Sequence, residues 1–318
     1  MALDIGGTKL AAGIVTSAGD LLAQQAGPTD PTSSPSQLIE ILFEMAGEVL
    51  AQAEMSWSDL AAVGVSFGGP VDFPAGRTVT CHHLPGWEQV RLRQTVSERS
   101  GRPTAMDNDA NAAALGEAAF GAAQGCEHVV YLTVSTGVGG GLVLNGRLHR
   151  GANSMAGELG HTVVAPGGPW CACGRRGCLE AVASGPAIAR AAREALEKGE
   201  PSSLSQVPPN ELTAKQVAEA AQSDCLAARI MAQAGEYLGI GIAAAVNLVN
   251  PHIVVIGGGV SQAGEALFGP LRAALARYAV PETTHDLLVV PGALGESGAL
   301  LGAAALALVE CLPATDGL

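Results

Sequence analysis

The sequence predicts a duplicated α/β protein with two domains. Its 318 residues are enough for two domains that each have a hydrophobic core. Two segments, 3–15 and 129–146, share one pattern: an apolar strand, a turn rich in glycine and threonine, and a second apolar strand. Because this pattern occurs once in each half, it indicates an internal duplication. Other strands and amphipathic helices occur in the same chain, which is typical of an α/β fold.

Composition and charge narrow the class of protein. Hydrophobic residues make up 48% of the chain and charged residues 15%, which is typical of a globular protein. The net charge of −13 argues against a nucleic-acid-binding surface, which needs clustered lysine and arginine. An anionic substrate is compatible with this charge, because backbone amides can bind phosphate.

The sequence also predicts a cytoplasmic protein with no membrane partner. The first ten residues lack the charged segment and apolar run of a signal peptide. The most apolar stretch, 240–249, is shorter than the roughly 18 residues of a membrane-spanning helix. Seven cysteines in a chain without a secretion signal indicate a reducing compartment.

The first hairpin has Gly6, Gly7, Thr8 and Lys9 at its turn. Turn glycines leave backbone N–H groups exposed, and Thr8 and Lys9 add donors, so this turn can cradle a phosphate. Asp4 is placed to hold water on a metal ion. An ordinary hairpin turn explains the motif equally well when it is taken alone. Since only three residues precede Asp4, we expect the true start of the chain to lie upstream.

A helix over 37–55 and a buried strand over 61–67 come next. The strand runs into Gly68 and Gly69, at the kind of sheet edge where α/β proteins bind ligands. The loop that follows contains a pair of histidines, which either line a pocket or are exposed to solvent. They are His82 and His83.

Polar residues cluster where a strand over 103–106 meets an alanine-rich helix. The cluster contains Asp107, Asn108, Asp109 and Asn111. One of Asn108 and Asp109 can be the helix N-cap, but a cap does not explain all four residues. An aspartate at such a junction can point into a cleft and accept a proton from a hydroxyl group.

The second hairpin has a strand over 129–135, a turn over 136–141 and a return strand over 142–146. Its turn begins with Thr136 and Gly137. One glycine-rich turn is a weak signal, whereas two such turns predict that a nucleotide phosphate chain is held between them.

Three cysteines in the spacing C-x-C-x4-C, with a histidine ten residues upstream, form a candidate zinc ligand set. A Cys3His set suits tetrahedral zinc with no open position, so the metal would be structural. Buried thiols or a disulfide are the alternatives, although the first two cysteines are too close for an easy bridge. Such a site would fix the neighbouring Glu158 and Glu180 as the wall of a polar pocket. The four ligands are His161, Cys171, Cys173 and Cys178.

Helices dominate the remaining sequence. A strand over 252–256 runs into Gly257, Gly258 and Gly259, which allow close approach of a flat ligand such as adenosine, or form a plain turn. The predicted helices, with Thr213 as the N-cap of the second, cover 185–198, 213–221, 224–249, 264–278 and 297–310.

Taken together, these motifs resemble the ROK family of sugar kinases and repressors. The resemblance covers the whole chain and implies an α/β, two-lobed, actin-like or hexokinase-type (ribonuclease H-like) fold with a central cleft. It implies a small lobe of residues 1–111 plus about 298–318, and a large lobe of 112–297 that contains the zinc loop. The matching segments are 4–9, 107–117, 135–151, 158–161, 171–180 and 254–261.

The resemblance also implies roles for individual residues. Asp109 would be the base that takes the proton from a sugar 6-hydroxyl, and Glu158, His161 and Glu180 would hold the hydroxyls near C1 to C3. His161 would therefore touch both zinc and sugar. The implied sugar-binding set is Gly69, Asn108, Asp109, Glu158, His161 and Glu180. The implied nucleotide-binding set is Asp4, Gly7, Thr8, Lys9, Thr136, Gly137, Gly257, Gly258 and Gly259.

The implied activity is transfer of the γ-phosphoryl group of MgATP to glucose by an enzyme that contains structural zinc. Family repressors carry an N-terminal helix-turn-helix, whereas this sequence starts at the phosphate turn, so no nucleic-acid partner is expected. Relatives that use polyphosphate tend to lack the cysteines, which favours ATP. A homodimer or homotetramer is usual in the family.

Two positions depart from the family pattern. Position 107 is Asp where Glu is frequent, and His83 replaces the Asn of the glucokinase motif Asn-Leu-Pro-Gly-Trp. The second departure leaves a kinase for N-acetylmannosamine or another hexose as an alternative. A non-catalytic sugar sensor is the third hypothesis.

Overall fold

The computed structural model describes residues 1–81 and 84–312, which form two compact units. The first unit contains Met1–Glu127, Gly141–Gly157 and the described residues from Ala293 onward. The second unit contains His128–Gly140 and Glu158–Gly292.

The structure contains strands and helices throughout both units. The strands are β1 (Ala2–Ile5), β2 (Lys9–Val15), β3 (Leu21–Pro28), β4 (Val63–Phe67), β5 (Val71–Asp72), β6 (Arg77–Thr78), β7 (Thr104–Asn108), β8 (Val129–Val134), β9 (Val138–Leu144), β10 (Arg147–Leu148), β11 (Ile253–Gly257) and β12 (Leu288–Pro291). The helices are α1 (Pro35–Gln52), α2 (Leu92–Ser100), α3 (Asp109–Phe120), α4 (Leu179–Ala183), α5 (Gly185–Glu197), α6 (Ala214–Ala220), α7 (Cys225–Val249), α8 (Glu265–Tyr278) and α9 (Gly298–Cys311).

The first unit is built on a sheet with the strand order β3-β2-β1-β4-β7. Strands β1, β4 and β7 are parallel, whereas β1, β2 and β3 form an antiparallel meander. Helix α9 packs so closely on β4 that a Cβ atom at Gly64 would lie 1.7 Å from the Ala303 carbonyl oxygen. This contact explains why the middle of a buried strand has no side chain at position 64.

Helix boundaries in both units follow local capping. Helix α1 begins after Ser34, whose hydroxyl accepts from the Gln37 N–H while the Gln37 side chain accepts from the Ser34 N–H. Such a reciprocal pair satisfies two N–H groups that the first turn leaves unpaired. Thr213 caps α6 in the same way, which confirms its predicted role. Asp224 caps α7 through the Ala227 N–H.

The parallel strands of the first unit bring three polar residues into one row. The register pairs Asp4 with Ser66, and Ser66 with Asp107. The turns after β1, β4 and β7 therefore leave the sheet at the same edge, which is where parallel sheets bind ligands. This alignment places the predicted Gly6–Lys9, Gly68–Gly69 and Asn108–Asp109 motifs side by side.

A buried ion pair supports the end of β7. Asp107 is fully buried, and one of its oxygens accepts from Arg150 Nε at 2.6 Å. The Arg150 guanidinium also donates to Glu310 at 2.6 Å and lies 3.5 Å from the centre of the Phe73 ring. The other Asp107 oxygen accepts from the Asn108 N–H and the Asn111 side chain. Asp107 therefore connects the start of α3 to Arg150 and through it to α9.

The second unit contains a parallel arrangement of β8, β11 and β12. The second five-stranded sheet has the order β10-β9-β8-β11-β12. Helices α7 and α8 pack closely, and a Cβ atom at Gly239 of α7 would lie 2.5 Å from Ala274 Cβ and the Leu271 carbonyl oxygen of α8. Small residues on α7 therefore set how near the two helices lie.

The structure corrects one sequence-based expectation. The return strand of the second hairpin begins at Val138 and not at Leu142, so the glycines lie within strand β9. Within this strand, position 141 is a glycine because a Cβ atom there would lie 2.6 Å from the Ala110 carbonyl oxygen of α3. Helix α3 lies whole within the first compact unit.

Among the described residues, the structure contains no helix long and apolar enough to cross a membrane.

Replacement of Arg150 by Gln should destabilise the first unit, because Asp107 would remain buried without its cation. We expect the free energy of unfolding to fall by about 3–5 kcal/mol in urea titrations. Arg77→Gln is the matched control, since the Arg77–Asp72 pair is partly exposed and should contribute less than about 1 kcal/mol. Equal losses in the two variants would contradict this account of Asp107.

Candidate functional site

The turn between β1 and β2 is held from behind by Thr29. The Thr29 hydroxyl donates to the Gly6 carbonyl oxygen at 2.8 Å, and the Thr29 N–H donates to the Thr8 carbonyl oxygen at 3.1 Å. Because these carbonyls are occupied, the turn keeps its shape while Thr8 and Lys9 remain exposed. An exposed glycine turn with hydroxyl and ammonium donors is suited to bind phosphate oxygens.

The predicted residues Gly69, Asn108 and Asp109 lie together in the first unit. The Asn108 side chain accepts from the Ala110 and Asn111 N–H groups and donates to the Gly69 carbonyl oxygen at 3.2 Å. Asn108 is therefore the N-cap of α3, and its amide also ties this helix to the turn after β4. Asp109 is the first helical residue, and its carboxylate accepts from the adjacent Ala110 N–H at 2.8 Å.

Asp4 is a buried carboxyl group at the same sheet edge. It accepts a 2.7 Å hydrogen bond from the Ser66 hydroxyl. Burial raises the pKa of Asp4 to about 7, and the negative charge of Asp109 adds to this rise, whereas the Ser66 hydrogen bond and Lys9 oppose it. Burial therefore disfavours the charged form of Asp4, and a nearby cation would stabilise that form.

The second glycine turn, Ser135–Gly137, is fixed from two sides within the second unit. The Gly185 N–H at the start of α5 donates to the Ser135 carbonyl oxygen at 2.8 Å. The Val138 N–H donates to Glu180 Oε2 at 3.1 Å, and a Cβ atom at Gly137 would lie 2.6 Å from the same oxygen. A side chain at position 137 would therefore displace the Glu180 carboxylate from this place.

The four predicted metal ligands converge. The ligand atoms of His161, Cys171, Cys173 and Cys178 all lie within 4.8 Å of one another. Cys171 Sγ is 3.5 Å from His161 Nδ1, and Cys173 Sγ is 3.6 Å from Cys178 Sγ. Tetrahedral zinc, with Zn–S near 2.3 Å and Zn–N near 2.1 Å, requires S···N and S···S separations of about 3.6 and about 3.8 Å.

These residues therefore fit a closed structural zinc site. In the described chain the cysteines form no disulfide, so the disulfide alternative is not supported. Burial raises the pKa of Cys171 and of Cys178, so a bound cation is needed to stabilise their thiolates. Gly177 allows the chain to fold closely around the cluster, because a Cβ atom at this position would lie 1.8 Å from the Ala165 carbonyl oxygen.

His161 has its two ring nitrogens on different partners. Nδ1 lies toward Cys171, whereas Nε2 is 3.8 Å from Glu158 Oε2. With Nδ1 on a metal, Nε2 would carry the proton and could donate to a neighbouring oxygen. The two nitrogens of His161 therefore point to different neighbours in the second unit, an arrangement that allows one to bind a metal and the other to bind a sugar hydroxyl.

A cavity of about 780 Å³ lies in the second unit beside the second glycine turn. Thr136 and Gly259, two residues of the predicted nucleotide-binding set, line it. Gly257 and Gly258 are not in the lining, and Cβ atoms there would lie 2.3 Å from the Tyr131 hydroxyl and 2.4 Å from the Val134 carbonyl oxygen. The close approach of two strands thus accounts for these two glycines.

The cavity also contains residues that sequence reasoning missed. Arg193 and Lys215 bring positive charge, and Arg193 donates to the Leu212 carbonyl oxygen at 3.2 Å. The starts of α5 and α6 were recognisable as helix starts, but nothing in the sequence placed them against Thr136. Further missed lining residues are Pro186, Thr213, Gln222, Val260 and Gln262.

The histidine pair His82–His83 lies outside the described residues. In the rest of this motif Leu84 and Trp87 are buried, and the Trp87 ring lies with its centre 4.9 Å from that of Phe67, whereas Pro85 and Gly86 are exposed.

Comparison with known proteins decides the family. The ROK family profile matches residues 1–310.

The chain belongs to the ROK family.

A glucokinase of Thermotoga maritima is 38% identical over 307 residues, which cover 96% of this chain and 95% of that protein. A ROK family glucokinase from Streptomyces griseus, solved in complex with glucose and AMPPNP, is 33% identical with a TM-score of 0.83 and covers 96% of this chain and 98% of its own. A ROK transcriptional regulator superposes with a TM-score of 0.86 at 29% identity, and this chain covers 76% of it.

Membership of the ROK family confirms the fold predicted from the motifs. The chain has the actin-like, hexokinase-type α/β fold, and each of its two five-stranded sheets contains one of the similar hairpins, β1–β2 and β8–β9. The ROK motifs at 107–117 and 135–151 coincide with the β7–α3 junction and the second glycine turn.

The protonation of Asp4 should make stability depend on pH. The pKa of Asp4 is about 7 in the folded protein and near 4 in the unfolded chain, so the folded state holds an extra proton between these values. The free energy of unfolding should therefore fall as pH rises from about 4 to about 7. The Asp4→Asn variant should lose this pH dependence and should be more stable than the wild type at pH 8. Urea titrations of both proteins at pH 5 and pH 8 measure the difference.

Asp72→Asn is a control that should change the free energy of unfolding at neutral pH in the opposite direction. Hydrogen bonds from the Ala75 N–H and from Arg77 lower the pKa of Asp72, so its removal should cost stability at neutral pH. An Asp4→Asn protein whose pH dependence runs parallel to the wild type would contradict the raised pKa.

Proposed function

We propose that this chain is an ATP-dependent kinase that transfers the γ-phosphoryl group of MgATP to the 6-hydroxyl of glucose. The observation that carries the proposal is Asp109, which lies with Asn108 and Gly69 at the ligand-binding edge of the first sheet. Its support is the match along almost the whole chain to glucokinases, one of which holds glucose and an ATP analogue.

Asp109 acts as the general base in this proposal. Its carboxylate takes the proton of the attacking hydroxyl, and the hydrogen bond from the Ala110 N–H at the N-terminus of α3 orients that carboxylate. Asn108 fixes the junction through Gly69. Because phosphoryl transfer depends mainly on positioning and charge neutralisation, a fixed junction matters more than basicity alone.

Three residues of the second unit are proposed to bind the sugar hydroxyls. Glu158 and Glu180 offer carboxylate oxygens, and His161 offers Nε2–H. The distance of 3.8 Å between His161 Nε2 and Glu158 leaves both groups able to hydrogen-bond a hydroxyl. Structural zinc held by His161 and the three cysteines would keep this group in place.

The two glycine turns are proposed to hold the phosphates. Gly7, Thr8 and Lys9 supply donors in the first unit, and Thr136 and Gly137 supply them in the second. Magnesium, when bound with ATP, supplies positive charge that neutralises the phosphate oxygens. Asp4 would hold that ion through water.

We place the adenosine in the 780 Å³ cavity beside Thr136 and Gly259. The cavity volume is within the range of small-molecule sites. Arg193 and Lys215 provide cations at its lining, while Pro186 and Val260 provide apolar surface for a base.

A sugar-responsive regulator is the second candidate, because such a protein shares the fold. Asp109, Thr8 and Gly137 favour the enzyme, since a sensor needs neither a base nor phosphate turns. We further propose that the enzyme is cytoplasmic, on its cysteine content, and a homodimer or homotetramer, on its family.

Asp109→Asn should lower kcat for glucose by several orders of magnitude while leaving the thermal transition within a few degrees of the wild type. The amide keeps the size of the carboxylate and cannot take a proton. ADP release coupled to glucose consumption measures kcat, and calorimetric titration with glucose checks that the sugar still binds. Asp72→Asn is the control in the same unit, because it removes a partly exposed carboxylate outside the proposed site. Turnover by Asp109→Asn near the wild-type rate would refute the assignment of the base.

Cys173→Ala should remove the metal and then sugar binding, because Glu158, His161 and Glu180 lie on the segment that the cluster fixes. We expect about one zinc per wild-type chain and much less in the variant, measured by atomic emission. Cys225→Ala is the matched control, since Cys225 is exposed and outside the cluster. A zinc-free Cys173→Ala protein with full glucose affinity would contradict the proposed structural role.

A further inference from the structure

Glu180 contacts the second glycine turn as well as the zinc cluster. Its Oε2 accepts from the Val138 N–H at 3.1 Å and lies where a side chain at Gly137 would be. Its other oxygen, Oε1, is 3.6 Å from Cys171 Sγ. A carboxylate has acceptor sites on both oxygens, so Oε1 can also accept from a sugar hydroxyl while Oε2 stays on Val138.

The opposite side of Val138 is covered by the other end of the zinc loop. A Cβ atom at Gly160 would lie 1.9 Å from the Val138 carbonyl oxygen, so the backbone at 160 rests directly on it. Gly160 precedes the ligand His161, and Glu180 follows the ligand Cys178 by two residues. The Leu179 N–H donates to the Thr162 carbonyl oxygen at 2.9 Å and joins these two ends.

The segment that carries the zinc ligands thus lies against both the backbone N–H and the carbonyl oxygen of Val138, the residue that follows the second glycine turn. We propose that Glu180 is a positioning residue for this turn, through which the zinc cluster sets the affinity of the site for nucleotide phosphates. This inference rests on the proposed function in one respect, namely that Thr136 and Gly137 bind phosphate. It predicts an effect on nucleotide binding in the absence of sugar.

The test compares substitutions that change either the length or the charge of the side chain at position 180. Glu180→Asp keeps the charge but is one methylene too short for the Val138 N–H, whereas Glu180→Gln keeps the reach and loses the charge. Glu158→Gln is the matched control, because Glu158 is another proposed sugar ligand of the same loop and contacts His161. The probe is MgAMPPNP, titrated calorimetrically without sugar, and the zinc content of each protein is measured.

We expect Glu180→Asp to weaken MgAMPPNP binding about fivefold, the equivalent of one hydrogen bond. Glu180→Gln and Glu158→Gln should stay within about twofold of the wild type, although both lose glucose affinity. Unchanged binding by Glu180→Asp would overturn the proposal. Tighter binding by Glu180→Gln alone would also overturn it, because that pattern indicates charge repulsion and not positioning.

If Glu180→Asp does not fold, amide hydrogen exchange decides. The Val138 N–H should be protected in the wild type, Glu180→Gln and Glu158→Gln, and should exchange rapidly after zinc is removed. Rapid exchange in the zinc-loaded wild type would overturn the proposal. Failure of the proposed kinase function can be distinguished from failure of this inference. In that case the wild type itself would show no turnover on glucose or would not bind MgAMPPNP.

Discussion

Four ligand atoms, one from His161 and three from cysteines, lie within 4.8 Å of one another, and the segment 158–180 depends on this convergence. The segment has turns and short helices but few apolar side chains in a core of its own. Without a cation, the cluster would bring buried thiols together with little to hold them. With zinc, the same atoms would fix Glu158, His161 and Glu180, so the proposed sugar-binding group and the proposed support of the second glycine turn both depend on this cluster.

Close backbone contacts are the second constraint on the site. Gly160 lies on Val138, Gly137 makes room for Glu180, and Gly141 allows α3 to approach β9. At each position a side chain would overlap a neighbouring atom, so the glycines act by their lack of Cβ. These glycines therefore serve the packing between elements, whereas those of the two turns are the ones proposed to face a ligand.

The sequence was sufficient for features that depend on local spacing. The Cys3His set and the Asn108–Asp109 junction are short motifs, and the structure brings the four ligand atoms together and places Asn108 and Asp109 at the start of α3. It was insufficient for features that join distant segments. The Glu180–Val138 bond spans 42 residues, the Arg150–Asp107 pair spans 43, and the cavity combines the starts of α5 and α6 with Gly259. No local pattern records such contacts, which is also why the return strand was expected to begin too late.

Phosphoryl transfer to glucose is the central claim, and ADP release by the purified, zinc-replete protein tests it most directly. The measurement uses MgATP with glucose, N-acetylmannosamine, mannose or fructose, and a control without sugar. Rapid ADP release with glucose and little with the other sugars is the predicted result. Preference for N-acetylmannosamine would contradict the assigned substrate, and release no faster than in the sugar-free control would contradict the assignment as a kinase.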